Sequence, residues 1–437
     1  MASSLIMAVA GVLVAALLAW VPALHIYNVV GFVVLAAPAL EGIVPSDGLA
    51  MVFLGMVTGY AVLNTIPSVF FSAPDDSTIF IVLPAQKFLL QKRGYEAAVL
   101  SGIGGLGGIV VLALLTPVAS SIFPALRAIL RPHLPWILWA IIAYVLLSEW
   151  PNGPDRARAG WSRCWEGWRN LAAGLAAFLL SGMLGFILLY RSLVPVTVAY
   201  QNLLPAFVGL FAMPWTVQNL LSRLELPEQH IARTLDATPG VIVRGMVAGA
   251  LGGLFAAFFP VVTGGIGGML AGHATAQRDD RLFLISQGAS KVVYYVGALL
   301  LFFVPRFHLT RGGMAWILSG LWSAHSPRTY YVAVAAVILS GALSFFLLLL
   351  MARVATKLID RVNYRSISLI TLVVLLLIVA GTTGWGGLLI CAVATGIGLI
   401  PVLWGSRRIN SMGVLLLPIA LNMSGVGGEV ARWLGLL

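Results

Sequence analysis

Long apolar segments recur along the whole chain, at about 4–21, 26–40, 49–66, 97–118, 134–149, 170–190, 195–221, 238–259, 282–304, 329–352, 367–383, 385–404 and 411–424. A helix crossing the hydrocarbon core of a bilayer needs about 20 predominantly apolar residues. A soluble fold would have to bury these segments under a polar surface, and the chain does not supply one. Only 9% of its 437 residues are charged and 60% are hydrophobic, whereas a soluble domain carries roughly 25% charged residues. The expectation is an all-α polytopic membrane protein with about ten to twelve transmembrane or re-entrant helices.

The charges are unevenly placed. The first 86 residues hold no lysine or arginine and only Glu41, Asp47, Asp75 and Asp76; the bases behind the net charge of +11 all lie from Lys87 onward. Most of them sit in loops between apolar segments, where they orient the chain and touch anionic lipid headgroups. That placement argues against nucleic acid and names the lipid bilayer as the first partner. Cys164 and Cys391 lie far apart and give neither a disulfide framework nor metal spacing. Residues 4–24 lack a basic start and a small-residue cleavage site, so they read as a retained first helix.

Several apolar segments are interrupted, at Pro22, around Pro67 and Pro74, at Pro205 and Pro214, and across residues 260–268. An interrupted helix inside hydrocarbon leaves backbone groups unpaired, which is tolerated only in buried or wet surroundings. Such broken helices mark the binding sites of transporters. Residues 151–170 form a polar stretch with Arg156, Arg158, Arg163 and Arg169 beside Trp161, Trp165 and Trp168. It reads as a loop at the cytoplasmic interface, as does the basic cluster Arg353, Lys357, Arg361 and Arg365. The motif GMVTG at 55–59 returns as GMVAG at 245–249, each leading to a proline at a polar break (Pro67 and Pro260). The chain therefore divides into a first transmembrane repeat (1–150), the loop (151–170), connecting helices (171–235) and a second repeat with the C-terminal helices (236–437). Two inverted-topology repeats with broken helices are the expected arrangement.

Three stretches carry polar chemistry where lipid should forbid it. Residues 64–78 hold Asn64, Thr65, Pro67, Ser68, Asp75, Asp76, Ser77 and Thr78. An aspartate at the centre of a spanning helix costs about 3 kcal/mol on insertion scales. The pair Asp75 and Asp76 reads either as the N-cap of an interfacial helix at 77–92 or as a polar gate or cation site. Residues 260–297 hold Pro260, Thr263, Gly264, Gly265, Gly267 and Gly268, which let the backbone approach a ligand closely. Lys291 follows within an apolar region, flanked by Gln287, Ser290, Tyr294 and Tyr295. It either snorkels to the interface or pairs with an anionic substrate. The third stretch, residues 22–28, contributes His25 and Asn28.

Signals for catalysis are weak. Gly102, Gly104 and Gly107 fit a dinucleotide-binding spacing, but they lie in an apolar helix, where small-residue packing accounts for them. The chain has no H-E-x-x-H, P-loop or nucleophile elbow, and no cofactor or firm metal site is expected.

The sequence resembles the large membrane subunit of the tripartite tricarboxylate transporter family, particularly its archaeal branch. The similar stretches are VPALHIYN (21–28), NTIPSVFFSAPDDST (64–78), KRGYEAAVLSG (92–102), LLPAFVGLFAMP (203–214), SQGASKVVYYVGALLLFFVP (286–305) and INSMGVLLLPI (409–419). Where the family often has Pro-Gly, this chain reads Pro22-Ala23 and Pro260-Val261. The resemblance implies a secondary transporter, not an enzyme. It would move a small di- or tricarboxylate across the cytoplasmic membrane, coupled to Na⁺ or H⁺. Bacterial relatives work with a small membrane subunit and an extracytoplasmic binding protein. On this reading the substrate is held by His25, Asn28, Asn64, Thr65, Pro67, Ser68, Thr263, Gly264, Gly265, Gln287, Ser290, Lys291 and Tyr294. Half-helix N-termini at Pro67 and Ser68 and at Thr263 to Gly265 meet its carboxylates, and Lys291 is the charge partner. Ion coupling falls to Asp75, Asp76, Ser77 and Thr78, with hydroxyls and freed carbonyls around a Na⁺ or with Asp75 or His25 carrying a proton. A handler of polyprenyl-phosphate lipids is the competing class, and an intramembrane enzyme the third.

Overall fold

The computed structural model describes residues 2–21, 46–73, 75, 77–150, 161–194, 202–221, 226–322, 326–359, 361 and 363–437. The described elements are helical. In chain order they are α1 (Ala2–Leu18), α2 (Ser46–Leu63), α3 (Thr65–Phe70), α4 (Val82–Leu90), α5 (Gly94–Leu115), α6 (Ala119–Leu130), α7 (Leu134–Leu147), α8 (Trp161–Tyr190) and α9 (Leu204–Leu221). There follow α10 (Pro239–Phe258), α11 (Gly264–Ala274), α12 (Asp280–Phe303), α13 (Gly312–Leu321), α14 (Pro327–Leu358), α15 (Tyr364–Trp404), α16 (Gly413–Met423) and α17 (Gly427–Trp433). Among the described residues nine helices are long and apolar enough to cross a membrane, or ten if the bent pair at the C-terminus is one span. The chain is a polytopic, all-helical membrane protein.

Two compact units are present, Met1–Arg127 with Leu224–Tyr364, and Ala128–Arg223 with Arg365–Leu437. Each draws on two separated stretches of chain, a different division from the sequence segments 1–150, 151–170, 171–235 and 236–437.

In the first unit α12 is the central element, buried along its spanning length and packed on α10, α5, α11 and α2. Small residues make that possible. A Cβ on Gly104 of α5 would lie 1.9 Å from the carbonyl oxygen of Ile285, and one on Gly288 of α12 would lie 2.0 Å from that of Ser101. The two helices touch backbone to backbone, so the glycines at 102–107 serve packing, as small-xxx-small patterns do in lipid. The aqueous end of α12 is capped by Asp279, which accepts from the Arg281 amide at 2.9 Å. Arg281 also pairs with Asp279 (2.8 Å) and Asp236 (2.9 Å). Buried Glu96 in the first turn of α5 takes the Arg93 guanidinium through two bonds of 2.7 Å. That pairing holds the Arg93 guanidinium above its usual range, against the opposing pull of burial.

In the second unit two expectations are revised and one is located. Residues 161–170 are the opening turns of α8 and not loop; 151–160 lie outside the described residues. Trp161, Trp165 and Trp168 recur at helical spacing and are exposed, as an interfacial aromatic belt requires. Pro214 does not interrupt α9, whereas Pro205 stands where α9 begins, and residues 195–201 before it lie outside the described residues. Pro205 sits in its first turn, where a missing N–H costs nothing, and Pro214 follows a π turn at Val208–Ala212, whose wider ring accommodates the lost bond. The gap between apolar segments 367–383 and 385–404 is real: α15 would be about 60 Å long if straight, and it breaks at Gly384 (φ 65°, ψ −157°). That backbone conformation is essentially restricted to glycine.

Candidate functional site

The polar groups of the first unit gather at two interruptions, both held by α12. The first lies between α2 and α3. Pro67 has no N–H for the carbonyl of Leu63 and crowds it, so the helix loosens at Asn64 and resumes to Phe70. The loosened turn is repaired locally. Thr65 Oγ1 donates to Val62 O (2.8 Å), the Ser68 amide to Asn64 O (3.3 Å), and Ser68 Oγ shares its proton between Asn64 O (2.7 Å) and Thr78 Oγ1 (3.0 Å). The expected half-helix N-terminus at Pro67 and Ser68 is therefore absent: the Ser68 amide is already bonded, and α3 is six residues long.

What the first interruption presents instead is a side-chain network. Lys291, 1% exposed, donates from Nζ to Asn64 Oδ1 and to Thr65 Oγ1, both at 2.6 Å. Asn64 Nδ2 donates to Asp75 Oδ2 (2.9 Å), which also accepts from Tyr60 (2.9 Å) and Tyr295 (3.0 Å). The other carboxylate oxygen, Oδ1, accepts from the amides of Ser77 (3.0 Å) and Thr78 (2.8 Å) and from Thr78 Oγ1 (2.8 Å). Asp75 thus has two faces: one oxygen orders the turn that leads into α4, and the other closes the network with Lys291. The Ser77 hydroxyl has no hydrogen-bond partner among the described residues. Tyr60, Asn64, Pro67, Ser68 and Asp75 border a cavity of about 10 Å³ together with Ala19, Val21 and Ala73, room for about one water.

The second interruption lies between α10 and α11. The three carbonyls of Ala256, Phe259 and Val262 accept from one guanidinium, that of Arg311. A cation is the favoured partner at a helix C-terminus. Thr263 caps α11, its Oγ1 accepting from the Ile266 amide at 3.5 Å. The amides of Gly264 and Gly265 belong to the first turn, which no helical carbonyl reaches. Ser290 Oγ donates to Gly264 O (2.8 Å), and a Cβ on Gly264 would lie 3.1 Å from Lys291 Cα and 3.2 Å from Tyr294 Cβ. Adjacent residues of α12 thus grip the two interruptions: Ser290 holds the second and Lys291 the first. One turn earlier, fully buried Gln287 leaves both ends of its amide without a hydrogen-bond partner among the described residues. The amide is seated where a side chain at Gly268 would be, 2.5 Å from that Cβ position.

Of the residues expected at the site, Asn64, Thr65, Pro67, Ser68, Asp75, Thr78, Thr263, Gly264, Ser290, Lys291 and Tyr294 come together here. Gly265 lies in the first turn of α11, and Gln287 borders it. His25, Asn28 and Asp76 lie outside the described residues. Sequence reasoning missed Tyr60, an aromatic inside an apolar helix, and Arg311, which resembles any loop base. A larger cavity of about 30 Å³ is lined mostly by apolar residues, Leu112, Phe123, Phe258 and Leu300 among them, with Tyr330, and no charged side chain borders it. The described residues contain no cluster of three or more metal-ligating side chains.

The family model described as "Tripartite tricarboxylate transporter TctA family" matches residues 5–413. An uncharacterized protein of Methanocaldococcus jannaschii is 26% identical over 414 residues, covering 92% of this chain and 94% of that protein. No solved structure matches the chain.

Proposed function

The chain belongs to the tripartite tricarboxylate transporter TctA family, and from that premise we propose that it moves a small di- or tricarboxylate across the cytoplasmic membrane. As a member of that family it is a transporter subunit and not an enzyme. The observation that carries the substrate class is Lys291. An ammonium has three donors, and two are taken by Asn64 and Thr65. The third has no acceptor among the described residues, and a buried cation in that state favours an anion. A substrate carboxylate oxygen takes that donor, while the first-turn amides of α11 and the Gln287 amide meet the rest of the molecule. Coupling is to Na⁺ or H⁺ through the Asp75 side of the network. A small membrane subunit and an extracytoplasmic binding protein are the partners this family membership suggests. An inverted-repeat relation between the two transmembrane halves draws support from the order of span, proline-marked interruption, short helix and later span in α2 to α5 and in α10 to α12, with α4 as an additional helix in the first.

The test is uptake of radiolabelled citrate and succinate into proteoliposomes, with binding followed by thermal shift. The wild-type protein is expected to be stabilised by a carboxylate. Lys291→Ala is expected to abolish uptake while still eluting as a folded species. Undiminished uptake by that variant removes Lys291 from the site, and stabilisation by polyprenyl phosphate alone replaces the carboxylate with a lipid.

A further inference from the structure

The groups around the Lys291 ammonium are those of a monovalent cation site. Two neutral oxygens, Asn64 Oδ1 and Thr65 Oγ1, lie 2.6 Å from Nζ at a helix interruption. The balancing carboxylate, Asp75, stands one amide away, because Asn64 Nδ2 donates to its Oδ2. The amide can face only this way: turned over, it would set its NH₂ against the ammonium and its carbonyl against the carboxylate. Oxygen ligands with one nearby carboxylate at broken-helix carbonyls and hydroxyls are what a hard cation selects. The second interruption has the same feature in another form, since the carbonyls it frees are occupied by the Arg311 guanidinium. At both interruptions a side-chain cation stands where a dissolved one would bind. The stem of Lys291 is anchored as well, its Cα packed on Gly264, so this cation cannot diffuse away.

We propose that Lys291 supplies covalently the cation that the first interruption would otherwise take from solution, and that the coupling ion of the transporter is the proton. The coupling half rests on the carboxylate reading above; the cation half does not. With its proton, the ammonium completes the Asn64, Thr65 and Asp75 network and offers its remaining N–H to the substrate. When the proton passes to water, the amine keeps the electron pair, the site loses its positive charge and the carboxylate leaves. Among the described residues the ionisable groups at this position are Asp75 in the turn after α3, Tyr60 on α2, and Tyr294 and Tyr295 on α12; α11 contributes Gly264. Asp75 is the only one of these with a carboxylate to answer the charge of Lys291.

Equilibrium binding of ²²Na⁺ to the purified full-length protein tests the cation half without any substrate. The wild type is expected to bind none at this site and to melt at the same temperature in sodium or choline chloride. Lys291→Ala is expected to bind about one Na⁺ at an oxygen site of this kind and to gain thermal stability from it. The double variant Lys291→Ala with Asp75→Asn is expected to lose that Na⁺. Saturable Na⁺ binding by the wild type overturns the proposal, whether or not the variants fold, and so does a folded Lys291→Ala that binds none. For the coupling half, a one-unit inward acid gradient at zero membrane potential is expected to drive about tenfold citrate accumulation in choline medium. Uptake that demands Na⁺ overturns this half. Absence of citrate and succinate uptake under every gradient overturns it through the carboxylate reading, while the Na⁺ measurements still judge the cation half.

Discussion

At the first interruption, after Leu63, the freed backbone is met by hydroxyls of the same segment, and the charges stand on side chains that reach each other through Asn64. At the second, after Phe258, a guanidinium from a distant part of the chain takes the freed carbonyls, and the following helix begins with glycines beside an amide that has no partner among the described residues. Among the described residues the first interruption leaves one N–H of Lys291 and the Ser77 hydroxyl without a partner. The second is complete on its C-terminal side and open at the start of α11. A carboxylate bound here would take its charge complement from the first and its dipole complement from the second. The broken helices of one molecule thus need not contribute the same chemistry.

The largest way to break this comparison is to remove the counter-charge. Asp75→Ala leaves Lys291 buried with neutral neighbours, and breaking a buried pair from one side costs about 3–5 kcal/mol. A fall in melting temperature well beyond that of any other single substitution at the site is the expected outcome. Asp75→Asn combined with Lys291→Met, which removes both charges, should recover much of the loss. A double variant no more stable than Asp75→Ala would show that packing around the turn matters more than the charge.

Arg311 tests the second interruption. Arg311→Gln releases carbonyls of Ala256, Phe259 and Val262 from a charged donor, and hydrogen bonds to charged groups are worth about 1.5–3 kcal/mol. A loss of about 2 kcal/mol is expected, with partial rescue in Arg311→Lys, which restores the charge but not the planar fork. If Arg311→Gln gains a Na⁺-dependent recovery of stability, the two interruptions are alike in holding a cation-shaped space. If it does not, only the first is.

Gln287→Leu should move the other way. Its amide has no partner among the described residues, so replacing it removes a desolvation penalty of about 1–3 kcal/mol. The melting temperature is expected to hold or rise while citrate uptake falls. A rise in stability with uptake unchanged would assign Gln287 to packing against Gly268 and narrow the open side of the second interruption to the backbone of α11.

How much of this was readable in advance follows from the solvent each residue should have had. Lys291, Asn64 and Asp75 stood out because a polar group amid apolar sequence needs a reason, and that reason does not depend on knowing its neighbours. Gly384 was visible as the gap between two apolar segments for the same cause. Arg311 was not, because it follows a polar run after α12 and its partners are carbonyls, which every residue carries. Tyr60 hid among apolar residues, where an aromatic ring is unremarked until its hydroxyl is seen to meet Asp75. Residues 161–170 read as loop because composition outweighed spacing, although the tryptophans at 161, 165 and 168 already kept a helical period. Proline misled in the opposite direction at 214, since one sequence letter serves both a break and a place where a π turn absorbs the missing bond.

Asp279 calibrates the scale at the aqueous end of α12, away from both interruptions. Hydrogen bonds from the Arg281 guanidinium hold its carboxyl below the usual carboxylate range, with burial opposing and the amides of Arg281 and Leu282 assisting. A carboxyl depressed in the folded state stabilises the fold above its unfolded value of about 3.9 and loses that contribution as the pH falls through the lower folded value. The side chain is 36% exposed, so solvent screening limits the effect to below about 1 kcal/mol. Asp279→Asn is accordingly expected to lower the melting temperature slightly at pH 7, less in high salt, with the difference from wild type vanishing under acid. Asp75 stands in the opposite surroundings, balanced against a lysine that is 1% exposed, so its substitution should be nearly indifferent to salt. Equal salt sensitivity at Asp75 and Asp279 would mean that the first interruption is open to bulk water, and its network would then be a surface ion pair of the ordinary kind.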